Sequence, residues 1–373
     1  MVAFSLLVPL EVLRADAPFD WQPSGTVVIE KTPVNDGPLT IILDCLGKKL
    51  TFLVSTRSAD SAFDLEFSRL LEPVDRSADN GLDSGIWCKA PQMKCGKMQL
   101  PIGEHIWCQS LVALEKGTGQ SLDGVLGMDV LRKLIVAIDA DRRQLVLSVP
   151  VKADKLPPGT ITPIEWSEDR LPMTKLSIGK NQQENCIIDT LGWNTFGLEA
   201  KSCLRALENK AIEPLDSYSV VLTSEGKEEL ARHFRCHVCQ VGDLRQRSLI
   251  GEVNKRNVIG WGFLSRFNVV FHFPESKIVW VKGNRFSSVD HTSLFGLSIA
   301  ETVAGPGIVS VAKGSESERA GLKSLDFIKQ INGVDVSQYT YGQLCRRLSV
   351  QSTGDVKIVV VRDSKVLALE LKQ

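Results

Sequence analysis

The chain has 373 residues, of which 43% are hydrophobic and 24% are charged, the usual composition of a globular protein. Lysine and arginine together number 44, as do aspartate and glutamate, so the formal net charge at pH 7 is zero. This balance argues against a nucleic-acid partner, and no apolar run reaches the ~18–20 residues that span a bilayer. At roughly 150 residues per domain, the length suggests two or three domains.

The first 17 residues predict a signal peptide, and therefore export to a periplasmic or extracellular compartment. Val2 to Leu13 is largely apolar, and Ala15-Asp16-Ala17 has the small-x-small form of a cleavage site. A basic stretch is missing from the start, which a start codon placed too far downstream would explain. The alternative is a disordered or edge segment.

Nine cysteines are present, at positions 45, 88, 95, 108, 186, 203, 236, 239 and 345, so at least one is unpaired. Cys88 and Cys95 are close enough in sequence to close a disulfide-bonded hairpin, which an exported protein permits. The stretch from His233 to Cys239 looks like a metal cluster, but a second, distant ligand pair is missing. On a strand, Cys236 and His237 would also point to opposite faces. We expect no resident metal or cofactor.

Two stretches of the chain share motifs at the same spacing. Ser55-Thr56 is followed about 70 residues later by Gly127, and Asp189-Thr190 is followed about 70 residues later by Gly260. Matching motifs at matching separation predict a duplicated unit of about 130 residues.

Each unit is predicted to contain a strand, a short helical turn and a closing hairpin, in that order. In the first unit these are Thr51 to Ser55, Val130 to Lys133, and Val136 to Ile138 with Gln144 to Leu147. In the second they are Asn185 to Asp189, Phe263 to Arg266, and Val269 to Phe271 with Lys277 to Val281. The Pro- and Gly-containing stretch Val151 to Pro163 is a plausible linker.

The motifs of the repeat resemble those of retropepsin-like aspartic proteases of the pepsin-type clan. The resemblance rests on Ile187-Ile188-Asp189-Thr190 with Val258-Ile259-Gly260-Trp261-Gly262-Phe263-Leu264, and on Phe52-Leu53-Val54-Ser55-Thr56 with Val125-Leu126-Gly127-Met128-Asp129-Val130-Leu131. It implies an all-β bilobal body, with a degenerate lobe 1 over residues 25–150 and lobe 2 over residues 160–283.

Members of that family cleave peptide bonds with two aspartates, one from each lobe, which share one proton. By resemblance Asp189 is one of them, but Ser55 stands where the other is expected. Arg57 and Leu191 replace the glycine that follows each Asp-Thr, and Arg57 would pair with Asp189. The hydroxyls of Thr56 and Thr190 lock the two loops together in the family, and both are kept.

These replacements predict an aspartic-peptidase-like protein that is catalytically impaired. Asp189 would be a relic of the catalytic pair, or simply an aspartate that caps a turn at a strand end. Asp60, Asp64 and a second copy of the chain are weak substitutes for the missing carboxylate. The alternatives are an active aspartic endopeptidase that uses Asp189 with an unconventional partner, and a non-catalytic interaction protein.

Residues 286–373 have a different pattern, with Ala320-Gly321-Leu322, Asp326 and the hairpin signal Asn332-Gly333. They resemble a small α+β PDZ domain, in which a loop binds a peptide's C-terminal carboxylate and the peptide adds as a strand. By resemblance the loop is Leu294, Phe295, Gly296 and Leu297, and the groove helix begins near Tyr341. The expected partner is a peptide or protein C-terminus, the alternative being a module that only packs on the body.

Overall fold

The computed structural model describes residues 27–31, 39–74, 85–118, 120–150, 156–192, 194–222, 228–288, 290, 295–302, 305–339, 344, 347–348 and 354–372. The proposed signal peptide, residues 1–17, lies outside them. Strands dominate this part of the chain, as the sequence predicts. The helices in it are α1 (Val112–Thr118), α2 (Met128–Leu131), α3 (Ala200–Glu208), α4 (Trp261–Leu264) and α5 (Glu316–Arg319), with 3-10 turns at Leu65–Leu70, Phe273–Glu275 and Val336–Gln338.

The strands are numbered in chain order. The first group is β1 (Val27–Lys31), β2 (Thr40–Cys45), β3 (Lys48–Val54), β4 (Ala62–Asp64), β5 (Ile86–Lys89), β6 (Met93–Cys95), β7 (Met98–Gln99), β8 (His105–Gln109), β9 (Gly124–Leu126), β10 (Ile135–Asp139) and β11 (Gln144–Ser148). The second group is β12 (Thr160–Pro163), β13 (Glu165–Trp166), β14 (Pro172–Ile178), β15 (Gln182–Ile188), β16 (Phe196–Glu199), β17 (Ile212–Leu222), β18 (Glu228–Val241), β19 (Leu244–Asn254), β20 (Val258–Ile259), β21 (Phe267–His272) and β22 (Lys277–Lys282). The last group is β23 (Leu297–Thr302), β24 (Gly305–Val311), β25 (Phe327–Ile331), β26 (Val334–Asp335), β27 (Val356–Arg362) and β28 (Lys365–Leu371).

Two sheets have matching strand connections. The N-terminal sheet runs β5-β8-β4-β9-β3-β2-β6-β7, and the middle sheet runs β13-β14-β15-β20-β16-β19-β18-β17. In the first, β3 is parallel to β9, while β4 is antiparallel to β9 and parallel to β8. In the second, β15 is parallel to β20, while β16 is antiparallel to β20 and parallel to β19. An added pairing of β14 with β18 closes the middle sheet into a barrel.

A third sheet joins these two parts of the chain, and we call it the shared sheet. Its order is β1-β11-β10-β21-β22-β12. The predicted hairpins are confirmed as β10 with β11 and β21 with β22. The two hairpins pair through β10 and β21, where Ile138 lies opposite Val269. Every residue of β10 and β21 is buried, which fits their nearly continuous apolar sequence.

The predicted helical turns are present but begin earlier than expected. They are α2 and α4, which begin at Met128 and Trp261, directly after Gly127 and Gly260. The glycines are needed because a side chain at either position would collide with the facing loop: an added Cβ on Gly127 would lie 2.5 Å from the Asp60 carbonyl oxygen. Helix α3 was not predicted from the sequence.

The disulfide that the sequence would allow between Cys88 and Cys95 is not formed. Cys88 lies on β5 at one end of the N-terminal sheet, and Cys95 lies on β6 near the other end. The eight cysteines in the described part of the chain are all buried and form no disulfide with one another. Burial and the neighbouring Cys88 raise the pKa of Cys108 to about 12. These thiols therefore behave as small apolar core residues.

The C-terminal sheet runs β23-β24-β25-β27-β28, with β26 paired to β25. It encloses a hydrophobic cluster of its own. The predicted turn at Asn332-Gly333 is confirmed, with both residues in the left-handed region at φ 51° and 79°. The predicted hairpin of β27 and β28 is also confirmed. Most of the helix predicted near Tyr341 lies outside the described residues, although Leu344 and Leu348 are buried.

The segment before the C-terminal sheet is tied into the middle sheet. The Asp290 carboxylate accepts hydrogen bonds from Thr195 Oγ1 at 2.7 Å and from the Ile250 N–H at 3.0 Å. It also forms an ion pair with Arg266, whose side chain is buried. Asp290 therefore anchors this segment on the second half of the body.

Candidate functional site

The two motif residues Ser55 and Asp189 leave their strands in the same way. The Ser55 N–H donates to the Leu126 carbonyl at 3.0 Å, and the Asp189 N–H donates to the Ile259 carbonyl at 2.9 Å. Ser55 thus follows β3, which is parallel to β9, the strand before Gly127. Asp189 follows β15, which is parallel to β20, the strand before Gly260. The backbone gives the two positions equivalent surroundings, although their side chains differ.

The threonines that follow them form a reciprocal network between the two loops. The Thr56 N–H donates to Thr190 Oγ1, and the Thr190 N–H donates to Thr56 Oγ1, each at 3.1 Å. Each hydroxyl then donates to the other chain segment: Thr56 to the Ile188 carbonyl at 2.6 Å and Thr190 to the Val54 carbonyl at 2.9 Å. Both threonines are buried. The network fixes the two loops against each other with no buried donor left over.

Asp189 is buried and each of its carboxylate oxygens is engaged. Oδ1 accepts the N–H groups of Leu191 at 2.9 Å and Gly192 at 3.0 Å. Oδ2 accepts Arg57 Nη1 at 2.9 Å. The Asp189 side chain is 1% exposed, whereas the Arg57 side chain is 48% exposed. The carboxylate is therefore closed to solvent, whereas about half of the arginine side chain that binds it is exposed.

Ser55 supplies a buried hydroxyl that its own loop uses. Its Oγ accepts hydrogen bonds from the Ser58 N–H at 3.0 Å and the Ser58 hydroxyl at 2.9 Å. A serine hydroxyl has no carboxylate chemistry, so it cannot share a proton with Asp189 in the way that a second aspartate would.

The other acids of the first repeat have different partners. Asp60 forms an ion pair with Arg170 at 3.7 Å, and both side chains are largely exposed. Asp64 accepts the Glu66 N–H at 3.0 Å and the Leu111 N–H at 3.1 Å, so it caps the 3-10 turn. Asp64 therefore has a structural role, and Asp60 is paired at the surface.

Glu252, on β19, was not predicted from the sequence. It is buried and accepts hydrogen bonds from Ser219 Oγ at 2.7 Å, Asn194 Nδ2 at 2.8 Å and Asn254 Nδ2 at 3.2 Å. Burial raises its pKa, the charge of Asp189 raises it further, and the three hydrogen bonds only partly offset this. The sequence gives no signal for Glu252, because β19 also carries the charged residues Arg245 and Arg247.

Gly192 lies between Asp189 and the Glu252 network. A Cβ added to Gly192 would lie 3.1 Å from Asp189 Oδ2 and 2.8 Å from Asn194 Oδ1. Both oxygens therefore border the same small space, which only a glycine leaves free. In the described structure, Asn194 Oδ1 is a buried acceptor without a hydrogen-bond partner.

The predicted peptide-binding loop of the C-terminal region is described from Phe295 onward, and Leu294 and Tyr341 lie outside the described residues. Phe295, Gly296 and Leu297 are buried. Gly296 has φ 70°, and an added Cβ would lie 2.2 Å from Ser315 Cβ, so this position requires glycine. The Phe295 carbonyl accepts the Ser317 N–H at 2.9 Å, and this bond holds the loop against the start of α5.

The suspected metal stretch near His233 is a strand. Cys236 is buried and His237 is exposed on β18, so their side chains lie on opposite faces, as predicted. Across the described ranges, no group of three His, Cys, Asp or Glu residues could hold a metal ion. Over the same ranges, no helix has the length and apolar character to cross a bilayer.

Comparisons with known proteins add no relative: no family model matches the chain, and a search of the curated proteins finds no match.

Proposed function

We propose that this chain is a peptide-binding protein built on an aspartic-protease-like bilobal body that no longer cleaves peptides. Residues 25–150 and 160–283 are its two lobes, and residues 286–373 are a PDZ-like module that takes a peptide C-terminus. The observation that carries the loss of cleavage is the pairing of buried Asp189 with Arg57, opposite a loop that offers Ser55 in place of a second acid.

The chemistry supports this reading. Water attack needs one carboxylate free to accept a proton and a second, protonated one to donate to the carbonyl. Asp189 already accepts two N–H groups and one guanidinium nitrogen. Losing a positioned acid–base group alone lowers a rate about 10²–10⁴-fold. Here the acid–base partner is replaced and the remaining carboxylate is occupied.

The fold is compatible with the proposed architecture. The matching strand connections of the N-terminal and middle sheets agree with a duplicated unit, and the shared sheet joins the two units through β10 and β21. The reciprocal threonine network is what the resemblance to retropepsin-like proteases implies for two lobes that meet at their loops. The separate hydrophobic cluster and the Gly296 loop are what a PDZ-like module would need.

The test of lost cleavage is a mass-spectrometric assay of the purified full chain against a peptide library from pH 3.5 to 7. We expect no cleavage by the native chain and none by Ser55→Asp alone, because Arg57 and Leu191 still occupy the loops. The combined variant Ser55→Asp, Arg57→Gly, Leu191→Gly should gain cleavage that pepstatin inhibits. Robust cleavage by the native chain, abolished by Asp189→Asn, would contradict the proposal, and Glu252→Gln would then test Glu252 as the second acid.

The binding half of the proposal is tested by calorimetry of the full chain against peptides with a free, apolar C-terminal residue. We expect dissociation constants of about 1 μM, which correspond to a binding free energy of roughly −8 kcal/mol. Amidated versions of the same peptides should bind more weakly because they lack the carboxylate that the loop N–H groups would meet. Equal binding of free and amidated peptides, or no binding at all, would leave residues 286–373 as a packing module.

A further inference from the structure

We infer that the Arg57–Asp189 pair is itself a binding site for a carboxylate group carried by an extended peptide, with Arg57 as the residue that recognises it. The inference rests on the proposed function, because it assigns a ligand class to the site at which cleavage has been lost.

Among the residues that the structure describes, most of the hydrogen-bonding capacity of Arg57 is unused. A guanidinium group has five N–H donors arranged as a planar fork. In the described part of the chain, Nη1 is the one nitrogen of Arg57 with a hydrogen-bond partner, the Asp189 carboxylate. Because the Arg57 side chain is 48% exposed, the other donors have access to a ligand. Planar, paired donors of this kind fit a carboxylate in a two-point contact.

Both ends of Arg57 are held before a ligand arrives. On either side of it, the Thr56 N–H is bound to Thr190 Oγ1 at 3.1 Å and the Ser58 N–H is bound to Ser55 Oγ at 3.0 Å. The guanidinium end is held by buried Asp189. An arginine side chain loses considerable rotamer freedom when it is fixed, and here much of that loss has occurred already. Binding a carboxylate therefore costs less entropy than it would at a free surface arginine.

The exposures also decide the sign of the ligand's charge. Asp189 is 1% exposed and its oxygens already accept three donors, so it is closed to a cationic ligand. Arg57 is open and carries the positive charge of the pair. A ligand carboxylate would thus form a second partner on the far side of the same guanidinium group.

The neighbouring side chain adds an apolar contact. Leu191, which follows Asp189 and Thr190, packs against the apolar cluster of Leu53, Leu111, Leu122 and Val125 and remains only partly buried. An acidic residue next to apolar residues in an extended peptide matches this combination of a guanidinium fork and a leucine.

The experiment is titration of the full chain with peptides that are acetylated and amidated at their ends, so that no free C-terminus can engage the C-terminal module. One peptide has a central Asp among Leu and Ala residues, and its partner has Asn at the same place. We expect the Asp peptide to bind about 10-fold or more tightly, as charge-assisted hydrogen bonds imply. Arg57→Gln should abolish the preference, and Arg57→Lys should keep only part of it, since lysine retains the charge without the fork.

Arg170→Gln is the matched control, because Arg170 is also a part-exposed arginine in an ion pair, with Asp60. It should leave the preference unchanged. Competition with inorganic phosphate and with acetate tests whether the site binds anions in general. We expect neither anion to displace the Asp peptide strongly. Strong displacement by phosphate would indicate general anion binding and contradict recognition of a peptide carboxylate. Equal binding of the Asp and Asn peptides, with C-terminal peptides still bound, would overturn this inference alone. Failure of blocked and C-terminal peptides alike would overturn the proposed function as well.

Discussion

Two arginine–aspartate pairs lie in different parts of the molecule and have different contacts. In the C-terminal sheet, Arg362 binds both oxygens of Asp326 at 2.6 Å and also donates to the Gly321 carbonyl at 2.7 Å. Arg57 makes a single contact with Asp189. The Arg362 side chain is 24% exposed, half the value for Arg57. The same residue types thus form a closed structural contact in one place and a contact with spare donors in the other.

The closed pair has the electrostatics of a structural element. Burial by itself would raise the pKa of Asp326, but the hydrogen bonds from Arg362 and the Lys323 N–H outweigh burial, and the pKa is lowered. Asp326 therefore stays ionised in the folded protein and holds together β25, β27 and the turn before β25. For Asp189 the protein provides two backbone donors and an arginine whose side chain is half exposed.

The largest expected effect sharpens this contrast. Arg362→Met leaves Asp326 buried without its cation and should destabilise the C-terminal sheet by about 3–5 kcal/mol. No tryptophan lies between residues 281 and 373. The measurement is therefore hydrogen exchange of β27 rather than fluorescence. Arg319→Met is the control, because the Arg319 side chain in the ion pair with Glu316 is 63% exposed, so this change should cost less than Arg362→Met.

The threonine network is next in size. Thr56→Val removes one hydroxyl and leaves the Thr190 N–H and the Ile188 carbonyl buried without partners, so we expect a loss of about 1–3 kcal/mol. Thr190→Val should cost a similar amount because the network is reciprocal. The double variant should cost less than the sum, since both changes break the same contacts. Urea unfolding followed by tryptophan fluorescence measures this, and strict additivity would show that the two loops are not coupled.

Removing the open arginine should cost less than removing the closed one. In Arg57→Met, water can replace the guanidinium group on its exposed side, and the Leu191 and Gly192 N–H groups stay on Asp189, so we expect a loss of about 1 kcal/mol. The same urea experiment measures it. A loss as large as that of Arg362→Met would make the Arg57 pair a structural contact and remove the contrast on which the ligand site rests.

The smallest effects concern pH and have opposite signs at two buried acids. Asp326 has a lowered folded-state pKa, so its contribution to stability is present above the unfolded-state pKa and is lost as pH falls through the folded value. Glu252 has a raised folded-state pKa, so its protonated form favours folding at low pH and stability is lost as pH rises. The native chain should therefore melt at an increasingly lower temperature than Glu252→Gln as pH increases from 4 to 8, because glutamine does not titrate. A constant gap would contradict the raised pKa.

Local signals in the sequence predicted the elements whose causes are local. The hairpins of β10 with β11 and of β27 with β28 follow from alternating apolar runs and turn residues, and both are present. The apolar runs before the motif residues predicted strands over Thr51 to Ser55 and Asn185 to Asp189, and the strands of the structure end one residue earlier, at Val54 and Ile188. Three contacts depend instead on residues far apart in the chain: the closure of β14 on β18, the anchoring of Asp290 by Arg266, and the hydrogen bond from Asn194 to Glu252. A single sequence without an alignment gives no information about such pairs.

The pairing of β10 with β21 has a consequence for how the chain is made. During synthesis, β10 and β11 are complete long before β21 leaves the ribosome, because roughly 130 residues separate the two halves of the shared sheet. At about 5–20 residues per second, this interval is on the order of ten seconds. Throughout it, the apolar strand Ile135–Asp139 has an unpaired edge that can pair with another nascent chain. Yield of the folded protein should therefore depend on translation speed and on chaperones that cover this edge.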